Sequence, residues 1–91
     1  MRRRQDSPWL VAERNRVRTE PTQGIAHRIA DGESPLMAWR VESGFTIAKL
    51  DRLTGIAGQR LVDLEIGKEQ PQPDELAAIA KALRVAIALL G

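Results

Sequence analysis

In the stretch GQRLVDLEIGK, residues 58–68, Gln59 and Asp63 stand four apart, with Val62 beside them and Arg60 and Lys68 on either side. On a helix, residues four apart share a face. The chemistry such a face offers is hydrogen bonding and charge: an amide donates and accepts, a carboxylate accepts, and a guanidinium donates in a fork. Bond-making chemistry has little to draw on, because the chain has no cysteine, a single histidine (His27) and no phosphate-cradling glycine loop. No catalytic site, metal site or cofactor is expected.

The elements that must position these residues can be read from periodicity. Ser34-Pro35 has a capping serine before a proline in the first turn, so a helix is expected from there to about Ser43, burying Leu36 and Trp39 and stopping at Gly44. Thr46 caps a second helix, about 46–54, in which Ile47, Leu50 and Leu53 repeat until Gly55, a residue suited to a left-handed turn. Ile56 plugs that turn. A third helix, about 57–66, turns Leu61 and Leu64 inward and leaves Gln59, Val62, Asp63 and Ile66 on the opposite face, with Ala57 and Gly58 at its start. Pro73-Asp74-Glu75 opens a fourth helix in favourable dipole order, and AIALL closes the chain. Ahead of these, TQGIAHRIA predicts a short helix with Ile25 and Ile29 on one side and His27 on the other. The domain reads as all-α, four to five helices over residues 34–91, with a lead-in at 22–33.

Residues 1–21 read as a basic arm. Residues 1–18 hold six arginines, Arg2, Arg3, Arg4, Arg14, Arg16 and Arg18, against Asp6 and Glu13, whereas residues 34–91 hold seven bases and seven acids. Disorder is expected for so charged a terminus, with a short strand or hairpin around Trp9 to Val17 as the alternative. No apolar run approaches the roughly 20 residues that span a bilayer. The expectation is a soluble, cytoplasmic protein without a membrane partner.

From about Pro35 to Leu90 the pattern resembles the Cro/repressor type of helix-turn-helix domain, the large xenobiotic-response-element-like family of prokaryotic regulators. The resemblance is carried by Trp39-Arg40, Gly44-Phe45-Thr46, Leu50, Gly55-Ile56, Leu61, Leu64-Glu65-Ile66-Gly67-Lys68 and Pro71, and continues through Leu76, Ala80-Lys81-Ala82-Leu83 and Val85. It implies a DNA-binding transcriptional regulator whose third helix enters the major groove. Ala57, Gly58, Gln59, Val62 and Asp63 would then face base edges: glutamine suits adenine, valine a thymine methyl, aspartate a cytosine amino group. Thr46, Lys49, Arg52, Arg60 and Lys68 would face phosphates, with the leader arginines either wrapping the duplex or only keeping the chain soluble.

The resemblance also implies an ion pair between Arg40 and Glu65, the alternative being two unrelated surface charges. Asp51 and Thr54 depart from the family pattern, which favours a small residue at the first position and an apolar one at the second. Asp51 either reaches a nearby base, Arg60 or Arg52, or loosens the helix crossing; Leu53 could take over the core role of Thr54. A homodimer on a two-fold symmetric operator is expected, through Val85, Ile87, Leu89 and Leu90, residues that could equally close the core. HRIADGESPLMAWR also resembles the approach to the helix-turn-helix in some antitoxins, which would add a cognate toxin as partner. The competing reading is a protein-interaction module on the same scaffold that has lost its operator.

Overall fold

The computed structural model describes residues 17–91, which form five α-helices and a terminal turn of 3₁₀ helix. The helices are α1 (Gln23–Ala30), α2 (Pro35–Glu42), α3 (Ile47–Thr54), α4 (Gly58–Glu65) and α5 (Pro73–Leu83), followed by the 3₁₀ turn Ile87–Leu89. Each early start is set by a short hydroxyl side chain in extended backbone. Thr22, Ser34 and Thr46 accept from the amides of Ile25, Met37 and Lys49, satisfying N–H groups that the first turn leaves without partners. At the start of α5, Glu75 accepts from the Gln72 amide at 2.8 Å.

Helix α1 packs on α2, α2 on α4, and α3 on both α4 and α5. Their shared interior holds Ile25, Leu36, Trp39, Leu50, Leu61, Leu64, Ile79 and Leu83, each at most 5% exposed. Ile25, at 1% exposure, is the core residue of α1, whereas Ile29, one turn on along the same side, is 37% exposed. Leu53, expected inward, is a correction: it stands 55% exposed on α3. The inward position stays with Thr54, whose hydroxyl donates to the Leu50 carbonyl at 2.7 Å and accepts from the Ile56 amide at 3.1 Å. A hydroxyl is tolerated there because the turn itself supplies both partners. Gly55 follows at φ 77°, a left-handed conformation in which its amide closes on the Asp51 carbonyl.

Two expectations about the chain ends also change. Residues 1–16 lie outside the described residues, but Arg18 belongs to the body rather than to a free arm. Its amide donates to the Arg84 carbonyl and its carbonyl accepts from the Ala86 amide, an isolated parallel bridge to the C-terminal segment. Its guanidinium bonds the Leu83 carbonyl and the Ser43 hydroxyl and lies 5.0 Å from the centre of the Trp39 ring. A cation at the carbonyl end of α5 suits the helix dipole and stacks on an aromatic face at the same time. At the other end, Val85 and Leu90 are 3% and 4% exposed, so they close the core and cannot form a dimer face; Leu89 is half-buried, and Ile87 is exposed.

Arg60 ties α4 to α5. Its Nε and Nη2 meet the two Glu75 oxygens at 2.9 and 2.8 Å, Nη1 meets Glu69 at 2.7 Å, and Nη2 also reaches the Gln70 carbonyl. The Arg60 fork, and after it the Gln72 amide, hold the Glu75 carboxyl down at about 2 against an ordinary 4.5. A folded value below the unfolded one means the interaction stabilises the fold fully above about pH 4.5 and fades as pH falls toward 2. Urea melts of Glu75→Gln should therefore show lower stability at pH 7 and a flatter loss between those limits than the parent chain. Superimposable acid limbs would show that Glu75 is not held low.

Candidate nucleic-acid interface

The edge of α4 that faces away from the core is built from its interior outward. Leu61 and Leu64 are buried at 2% and 4% exposure, and Glu65, at 8%, is the buried charge among the described residues. Arg40 of α2 meets Glu65 in a fork: Nε bonds Oε2, Nη2 lies 3.1 Å from Oε1, and Nη1 donates to the Phe45 carbonyl at 2.8 Å. Two helices and the turn between α2 and α3 are thereby joined at one guanidinium. The expected ion pair is present, and Glu65 faces the protein.

Asp51 follows neither of the two expectations. Its Oδ2 accepts from the Gly58 amide at 3.1 Å, so the side chain of α3 caps the first turn of α4. The residue at the capping position, Ala57, has no side chain able to do this, and Asp51 supplies the missing acceptor across the turn. The crossing is not loosened, because the small residue sits on the other helix. A Cβ at Gly58 would fall 3.2 Å from Ile47 Cγ2 and 3.7 Å from Asp51 Oδ2. Glycine at 58 and aspartate at 51 thus form one device, and neither residue type was predictive alone.

With Leu61, Leu64 and Glu65 turned in, Gln59 and Ile66 are exposed, and Val62 and Asp63 are half-buried on the same edge. Gln59 Nε2 donates to Asp63 Oδ1 at 3.1 Å along the helix. Ala57 is exposed at the leading end, whereas Gly58 has its amide engaged by Asp51. Of the residues expected to meet phosphate, Arg60 is withdrawn: four of its five guanidinium N–H groups are engaged by Glu75, Glu69 and Gln70, which makes it a structural residue. Lys49 and Arg52 lie exposed on α3, and Lys68 is exposed just past α4. None of these three meets a carboxylate among the described residues, and Lys49 Nζ lies 4.5 Å from the centre of the Phe45 ring. Thr46 uses its oxygen as an acceptor for the Lys49 amide, leaving its hydroxyl proton available. Arg2, Arg3, Arg4, Arg14 and Arg16 lie outside the described residues.

Sequence reasoning missed the Asp51 to Gly58 contact and the Arg60 network. The signal for the second was present, since Glu69 and Glu75 both follow Arg60 within 15 positions, but their approach depends on how the loop at 67–72 folds back. Among the described residues no group of acidic or histidine side chains could hold a metal ion, and no helix is long and apolar enough to cross a membrane.

The cap is directly testable by substitution. Asp51→Ala should lower stability by about 1 kcal/mol in urea melts, while Asp51→Asn, which keeps an acceptor for the Gly58 amide, should lose less than half as much. Equal losses for the two variants would remove the cap.

No curated protein and no solved structure matches the chain. A family model described as helix-turn-helix matches residues 36–90, the stretch that carries α2 through the terminal 3₁₀ turn and therefore the α3–turn–α4 unit just described. The chain belongs to the Cro/C1-type helix-turn-helix family of DNA-binding regulators.

Proposed function

We propose that the protein is a sequence-specific transcriptional regulator that lays α4 in the major groove and reads base edges with Ala57, Gly58, Gln59, Val62 and Asp63. The observation that carries this is the two-sidedness of α4: one face is locked into the core by Leu61, Leu64 and Glu65, and the other projects polar groups flanked by cations that meet no carboxylate among the described residues. Thr46, Lys49, Arg52 and Lys68 hold phosphates on either side. The described body is close to neutral and has committed Arg28, Arg40 and Arg60 to its own carboxylates, so the leader arginines carry much of the affinity. One helix covers too few base pairs for useful selectivity, so two copies act together on a two-fold symmetric site. The antitoxin version of this reading rests on HRIADGESPLMAWR, and a toxin gene beside this one is its test.

A second reading has a specific observation in its favour. Leu53 and Ile66, 55% and 66% exposed, stand on or near the reading side and would suit a protein partner on the same scaffold. Fluorescence anisotropy with the gene's own upstream duplex and a scrambled one, across a salt series, separates the two. Preference for the upstream duplex is expected. Replacing Arg2, Arg3, Arg4, Arg14 and Arg16 by glutamine should make the salt slope shallower by about 0.9 for each phosphate that the leader no longer neutralises. Equal affinity for both duplexes at every salt concentration would move the assignment to the protein partner. An unchanged slope would remove the leader from the interface.

A further inference from the structure

The contact between Gln59 and Asp63 constrains what α4 is able to recognise. Gln59 Nε2 lies 3.1 Å from Asp63 Oδ1. The opposite orientation of the amide would set two oxygens against each other, so the chemistry of the pair decides which end of the amide faces the carboxylate. One glutamine N–H is thereby engaged inside the protein. Gln59 Oε1 and the second Asp63 oxygen have no donor among the described residues. Nor does any cation among the described residues neutralise Asp63, because its neighbour Arg60 is turned to the far flank and held by Glu69 and Glu75. The exposed edge therefore presents two open acceptors, one of them on a full negative charge, against a single remaining amide N–H.

In the major groove the bases divide by what they offer such an edge. Adenine and cytosine project an amino N–H, guanine projects only the acceptors N7 and O6, and thymine projects O4 beside its methyl group. We propose, building on the DNA-reading role above, that Gln59 and Asp63 act as one acceptor unit that selects the amino bases adenine and cytosine on the contacted strand and rejects guanine and thymine. Rejection follows from leaving the open oxygen of a half-buried carboxylate opposite a base acceptor, with both desolvated and neither finding a donor. The same geometry makes recognition sensitive to DNA modification. In a paired adenine or cytosine, one amino hydrogen is held by the opposite base and the other projects into the major groove. A methyl group on that nitrogen takes the place of the projecting hydrogen and removes the donor that the unit requires.

The test uses the full chain and a random duplex library. Sites enriched by binding are resynthesised with N6-methyladenine or N4-methylcytosine at one amino base at a time, and affinity is measured for each. At least one position should lose about tenfold or more in affinity on methylation. That loss should fall to about threefold or less in Asp63→Ala, with thermal melts confirming that the variant is folded. Two results would overturn the proposal while leaving DNA reading intact: methylation without effect at every amino base of an enriched site, or a methylation penalty that Asp63→Ala leaves unchanged. Failure of any sequence to enrich would instead remove the DNA-reading role itself, and this proposal with it. Gln59→Ala serves as a second variant if Asp63→Ala does not fold; it should reduce the same penalty, and an unreduced penalty would count against the unit.

Discussion

The rotation of α4 about its own axis is the constraint on which the site depends, and three separate contacts set it. Leu61 and Leu64 enter the core, Glu65 meets the Arg40 fork at the C-terminal end, and the Asp51 carboxylate holds the Gly58 amide at the N-terminal end. Arg60, on the flank, adds a tie to α5. A buried ion pair such as that of Arg40 and Glu65 contributes modestly to net stability, yet stranding either partner costs about 3–5 kcal/mol, so it resists any rotation that would separate them. The result is a helix whose polar edge has little freedom to turn inward.

The acids around this helix fall into two classes once their partners are known. Asp51 and Glu65 serve the protein, one as a cap and the other as half of an ion pair. Asp63 is the acid that keeps an open oxygen on the reading edge. Affinity and selectivity would accordingly rest on different parts of the chain, with Lys49, Arg52, Lys68 and the leader supplying positive charge and the acceptor-rich edge of α4 supplying choice. On the proposed reading, such a division would let a protein with a net charge of +2 bind DNA without holding every sequence equally.

Most of the helix layout was legible in the sequence because it rests on local rules. Hydroxyl caps at Thr22, Ser34 and Thr46, and glycines at 55 and 67 with φ of 77° and 79°, mark boundaries that depend on immediate neighbours. Residues whose role is decided by distant parts of the chain were not legible in the same way. Arg60 looked like a phosphate ligand because Glu69 and Glu75 reach it through a loop. Leu53 looked apolar and periodic, yet the turn chemistry of Thr54 keeps it outside. Arg18 looked like part of a free arm until the carbonyl end of α5, Ser43 and Trp39 were brought to one place by the fold. Arg40 and Glu65 were within reach only because a family resemblance pairs them.

Nuclear magnetic resonance offers the most direct view of whether the exposed edge of α4 is the reading surface. Titrating the labelled full chain with a duplex that it prefers over a scrambled one should shift the Gln59 side-chain amide and the backbone amides of Gln59, Val62, Asp63 and Ile66 most strongly, while Val17 to Glu20 and the 3₁₀ turn remain near their free positions. Shifts concentrated on the 3₁₀ turn or on α1, with the Gln59 side chain unmoved, would contradict it.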